Sequence, residues 1–86
     1  MAKKHKLVLS DEAAVDLDSI FDPLFSAILK RLLLLQHHPE MGLAMSGPYA
    51  GMRTTPVGIF RIFYRIKKQV IEVVYVRHCK RQMPNP

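Results

Sequence analysis

Arg61, Arg65, Arg77, His78, Lys80 and Arg81 gather in the last third of the chain, on or beside two strand-like runs, Met52 to Ile66 and Val70 to Arg77. A guanidinium holds carboxylate or phosphate oxygens through two parallel hydrogen bonds. An imidazole with an ordinary pKa of about 6.5 gives or takes a proton near neutrality. The chemistry on offer is therefore recognition of something acidic, with His78 adding acid–base capacity. His37 and His38 are metal-ligating types, but no nearby Cys, His or Asp cluster completes a set. They read instead as the last turn of a helix, where positive charge is favoured. Cys79 has no neighbouring cysteine and reads as packing or an isolated thiol. No metal and no cofactor are expected.

The charge is unevenly spread. The 86-residue chain carries +6 overall. The bases Lys3, Lys4 and Lys6 lie at the start, most of the acids lie between Asp11 and Glu40, and the bases return from Arg53 onward. An acidic helical part joined to a basic strand part points to nucleic acid or an acidic protein surface as partner. The length predicts a single domain over residues 1–86 with a modest core. A hydrophobic content of 49% is high for so small a chain, so surplus apolar surface is expected to meet another chain. Leu24 to Leu35 is the one long apolar stretch; Ser26, Lys30 and Arg31 interrupt it, and it is too short to span a bilayer. No apolar segment follows the early lysines as a signal peptide would require. A single cysteine fits a reducing compartment. The expectation is a cytoplasmic bacterial protein away from the membrane.

The elements that must position these groups follow from local pattern. Lys6 to Leu9 reads as a strand. Ser10 is an N-cap, with Asp11 and Glu12 in the favoured first turn. Ala13, Leu17, Ile20, Phe21 and Leu24 recur at helical spacing, which predicts a helix over 11–21. Asp22-Pro23 restarts a second helix that ends near His37, before Pro39. Glu40 to Gly51 reads as loop, and Pro56-Val57-Gly58 as a bend. Ile59 to Ile66 alternates: Phe60, Ile62, Tyr64 and Ile66 face helices, while Ile59, Arg61, Phe63 and Arg65 form an open face. Lys67-Lys68-Gln69 reverses the chain into an interior strand, Val70 to Arg77. The fold class is α+β, order β-α-α-β-β-β, a small antiparallel sheet with the helices on one face.

This order, with Leu9-Ser10-Asp11-Glu12-Ala13, His38-Pro39-Glu40-Met41-Gly42, Met52-Arg53, Arg61-Ile62-Phe63-Tyr64-Arg65, Ile71-Glu72-Val73-Val74 and the ending His78-Cys79-Lys80-Arg81-Gln82-Met83-Pro84, resembles the RelE/ParE superfamily of toxins from type II toxin–antitoxin modules. The ending is most similar to the ParE branch. Members usually carry two longer helices in an antiparallel hairpin. Measured against that pattern, roughly four helical turns and the loop are missing here, whereas a hairpin needs a connection of about two to five residues. The expectation is a kinked, nearly continuous helix over 11–37, whose second half packs on another copy as a homodimer or domain swap.

The resemblance implies a cognate antitoxin as partner and two competing activities. ParE-like members poison DNA gyrase by binding it and are not enzymes. RelE-like members cut mRNA in the ribosome as metal-independent endoribonucleases, which requires a base, an acid and cations around one phosphate. A third reading is a shortened, non-toxic remnant that still binds antitoxin. For antitoxin contact, the expected residues are Arg61, Phe63, Arg65, Leu17 and Phe21. For the gyrase target they are Arg77, His78, Lys80 and Arg81. Under the nuclease reading, Arg61 and His78 would be catalytic; otherwise no catalytic residue is expected. The nuclease set is incomplete: nothing beyond Arg81 supplies the tyrosine some nuclease members carry, and Leu43 to Gly51 holds no lysine or acid.

Overall fold

A computed structural model describes residues 4–79. Strand β1 (Lys6–Leu9) is followed by helices α1 (Asp11–Asp18) and α2 (Leu24–His37), then by β2 (Leu43–Ala44), β3 (Arg53–Val57), β4 (Phe60–Lys67) and β5 (Val70–His78). The strands form one sheet in the order β1-β5-β4-β3-β2. The α+β class is as expected. The sheet, however, is mixed: β2 to β5 are antiparallel neighbours, whereas β1 runs parallel to β5, with Lys6 opposite Val70 and Leu9 opposite Val73. A parallel pair needs a long crossover, and the chain from α1 through β4 provides it.

Ser10 caps α1 as its position predicts, its hydroxyl accepting the Ala13 amide hydrogen at 3.0 Å. The helix stops at Asp18, not at residue 21. Ser19 ends it, its amide donating to Asp16 O at 3.3 Å and its hydroxyl to the same oxygen at 2.8 Å, while the Ile20 amide donates to Leu17 O at 3.0 Å. Asp22 restarts the chain, its Oδ1 accepting from the Ser26 amide at 3.0 Å and from the Ser26 hydroxyl at 2.6 Å. The break over residues 19–23 is long enough to turn α2 back onto the same sheet. Ala13, Leu17 and Ile20 from the first helical segment and Ile28, Leu32 and Leu35 from α2 share one core with Ile62, Tyr64, Ile71, Val73 and Val76. The continuous, swapped helix is thus not the arrangement the chain adopts. Phe60, Ile62, Tyr64 and Ile66 do all face this core.

Two further differences have local causes. The segment expected to be loop carries two 3-10 turns, Pro39–Met41 and Gly47–Tyr49, and the short β2 between them. Pro56 does not break β3. β2 pairs only with Arg53 and Thr54, so β3 is an edge strand at Pro56, where a sheet tolerates proline. The reversal comes one step later, in the two residues between the Val57–Phe60 pair, with Gly58 at φ 59.

One irregularity governs the site. Phe63 pairs with Tyr75 but Tyr64 pairs with Val73, leaving Val74 as a bulge in β5. β1 ends at Leu9, opposite Val73, so beyond that pair the outer edge of β5 has no strand among the described residues. Side chains of the α1 region take its place: the Ser10 hydroxyl donates to Val74 O at 2.7 Å, and Asp16 Oδ2 accepts the Val76 amide hydrogen at 3.0 Å. An exposed row of amides is a liability in any sheet; here helix side chains satisfy it.

Candidate functional site

The helix-free face of the sheet is built in rows. At the β3–β4 turn end, Arg61 lies opposite Arg77; next comes Phe63 opposite Tyr75, then Arg65 opposite Glu72, then Lys67 opposite Val70. The two aromatics meet edge to face, centroids 6.4 Å apart, and the Arg77 guanidinium sits 5.0 Å from the Tyr75 ring centre, a cation–π distance. Arg77 also lies 3.4 Å from both Glu12 Oε2 and Asp16 Oδ2. Its Nε faces Asp16 at ion-pair distance without hydrogen-bond alignment. Arg65 Nε donates to Glu72 Oε1 at 2.5 Å. Arg61 has no hydrogen-bond or ion-pair partner among the described residues.

Several expected contact residues sit differently. Phe63 is 1% exposed and offers no open surface: alternation tells which face a residue takes, not whether that face is covered. Leu17 is 6% exposed because it lies on the α1 stripe that packs against β5. Phe21, at 79% exposure, does project outward, as does the Arg65 side chain. His78 pairs with Phe60, not Arg61, and its ring meets the Phe60 ring edge to face at 5.5 Å. Phe60 packs toward the helices, and successive strand residues point to opposite faces. Arg61 and His78 are therefore on opposite sides of the sheet. Lys80 and Arg81 lie outside the described residues. Of the two carboxylates beside Arg77, Glu12 was legible only as a first-turn acid of α1 and Asp16 only as a residue off its apolar stripe.

Tyr64 locks the segment after α2 to the sheet. Its hydroxyl donates to Pro39 O at 2.7 Å and accepts from the Gly42 amide at 3.0 Å. Burial pushes its pKa above the ordinary 10.0, against the opposing pull of the Gly42 hydrogen bond. The neutral form is thus favoured in the folded state. The corresponding stability is full below pH 10 and is lost as pH rises toward the folded pKa. Wild-type protein is expected to lose urea resistance steeply above pH 10. Tyr64→Phe, weaker at neutral pH by about 1–3 kcal/mol through two unpaired backbone groups, is expected to show a shallower alkaline loss. Parallel urea titrations at pH 8 to 11 check this; identical alkaline slopes would contradict it.

The family model for the ParE toxin of the parDE type II toxin–antitoxin system matches residues 7–83. The chain belongs to the ParE toxin family. Among solved structures, this ParE-family toxin is similar to a chain of the RelBE2 toxin–antitoxin complex from Mycobacterium tuberculosis, with TM-score 0.81 and 20% identity over 87% of this chain and 98% of that one. It is also similar to a chain of the chromosomal ParDE system from P. aeruginosa (TM-score 0.73, 21% identity, 90% and 98% covered). A third is a chain of the intact E. coli RelBE complex (TM-score 0.75, 16% identity, 90% and 99% covered). No curated protein sequence matches significantly. At these identities the likeness speaks for the fold. The coverage also bears on length: α1 is short at 8 residues, yet these solved chains are spanned almost completely, so a four-turn deletion relative to them is not present. No helix among the described residues is long and apolar enough to cross a membrane.

Proposed function

We propose that this type II toxin acts in the bacterial cytoplasm by binding and poisoning DNA gyrase, and that a cognate antitoxin neutralises it. The observation that carries the choice is the placement of Arg61 and His78 on opposite sheet faces. Cleavage by an RNA 2′-hydroxyl needs base, acid and cation around a single phosphate, and two groups separated by the sheet do not converge on one. Binding to an acidic surface has no such requirement. Arg77, held by Glu12 and Asp16 at one end of β5, is oriented for contact, with His78 on the helix side of the same strand end; Lys80 and Arg81 are proposed target contacts on charge alone. The antitoxin covers Arg61, Arg65 and the exposed Phe21.

Supercoiling assays with purified toxin and gyrase test this. Inhibition is expected at near-stoichiometric toxin, relieved by antitoxin, with no new cuts in mRNA on programmed ribosomes. Codon-specific cuts that vanish in Arg61→Ala or His78→Ala would overturn the reading in favour of the ribosome. Intact antitoxin binding without any growth defect would identify a non-toxic antitoxin-binding protein instead.

A further inference from the structure

We propose that the antitoxin seats an acidic, aliphatic-bearing segment on the helix-free sheet face at the β4–β5 turn, across the row Lys6–Val70–Lys67. This rests on the toxin–antitoxin reading above but uses a surface at the other end of the sheet from Arg61 and Arg77. The register places Lys6 beside Val70 through the parallel β1–β5 pair, and Lys67 on the other side of Val70 through the β4–β5 hairpin. One step along, Val8, Glu72 and Arg65 form the next row. Together with Lys68 in the turn and Gly51 at the side, these residues line a depression of about 660 Å³ whose apolar floor is Val8 and Val70.

The charges on this rim are unequal in availability. Arg65 is engaged by Glu72. Lys6, Lys67 and Lys68 are exposed and have no ion-pair partner among the described residues. A patch of unneutralised ammonium groups around an aliphatic floor is complementary to a peptide that alternates carboxylates with small apolar side chains. Carboxylates two residues apart on an extended peptide face the same side about 7 Å apart, within reach of lysines that flank Val70 on both sides. A nucleic acid fits less well. Single strands are held by stacking on aromatic rings, and this floor has none; Glu72 would also meet phosphate with like charge.

The test is fluorescence anisotropy with the toxin and its cognate antitoxin. The triple variant Lys6→Glu/Lys67→Glu/Lys68→Glu is expected to bind at least about 30-fold more weakly at 0.1 M salt, and the loss should shrink at 0.5 M salt as screening grows. Unchanged circular dichroism and melting of the variant exclude misfolding as the cause, and Lys67→Gln alone should give a smaller loss of the same sign. An unchanged Kd for the triple variant, with wild-type binding intact, would overturn this site while leaving the toxin–antitoxin reading untouched. No complex with wild-type toxin would overturn both. Tight binding of a dT20 oligonucleotide that is lost in the triple variant would overturn the choice of partner.

Discussion

Gly42→Ala is expected to destabilise the protein by roughly 3–5 kcal/mol, through overpacking and the loss of Tyr64's hydrogen bonds. The backbone is not the obstacle. Gly42 has φ −76 and ψ 158, a conformation any residue adopts. The obstacle is space: a Cβ would lie 2.5 Å from Tyr64 Oη, 2.9 Å from Tyr64 Cε1 and 3.0 Å from Thr54 O. Tyr64 is fully buried and held by Pro39 and Gly42 itself, so it cannot swing aside without surrendering both bonds. For a domain whose total stability is on the order of 5–10 kcal/mol, melting should fall by roughly 20 °C or more. The double variant Gly42→Ala/Tyr64→Phe removes the oxygen nearest the new methyl, so its loss should be clearly smaller than the sum of the two single losses. Thermal melts of the four proteins decide the matter. A Gly42→Ala protein melting within about 5 °C of wild type would show that the Tyr64 hydroxyl does not sit against Gly42.

Asp16→Ala is the second large effect. One carboxylate serves an otherwise open amide of Val76 at 3.0 Å and stands 3.4 Å from Arg77 Nε. Removing it strands a partly buried N–H beyond the end of β1 and releases Arg77 to its remaining contact with Glu12. The expected loss is about 2–3 kcal/mol, or roughly 10–20 °C in melting for a domain of this size. Asp16→Asn keeps an oxygen for the Val76 amide and removes only the charge. It should recover most of the stability, because an ion pair whose arginine is a third exposed contributes at most about 1 kcal/mol. Stability separates the two variants where function does not: in both, Arg77 loses its Asp16 partner, and on the proposed gyrase reading inhibition should weaken even where Asp16→Asn folds normally. An Asp16→Ala protein as stable as wild type would remove Asp16 from the edge of β5.

The parts of the fold that were legible in the sequence are those set by near neighbours. Ser10 announced its cap through residue type and the acids that follow it. The β4 face of Phe60, Ile62, Tyr64 and Ile66 was readable because alternation needs only one strand. What was not legible depends on distant partners. Nothing near Val74 marks a bulge, since neither glycine nor proline stands there; the bulge arises where the α1 region supplies Ser10 and Asp16 to the edge of β5. The parallel place of β1 has no turn to announce it. For the site, the arginines were visible as a basic cluster, but the division of Arg61 and His78 between two faces required the register of β4 against β5. Phe63 shows the same limit: its face was readable, its burial was not.

The parallel pairing of β1 with β5 has a consequence for how the molecule comes into being. β1 is made before β5, and β5 is its one strand partner among the described residues. Until β5 is complete, Leu7 has no strand partner, the bulge that receives Ser10 does not exist, and Asp16 has no Val76 amide to hold. The contacts that close the sheet join residues more than sixty positions apart, as in Ser10 with Val74, and such distant contacts delay folding. The acidic helices therefore stay unseated until β5 has been made, and the surface that would meet a target is completed only with that strand.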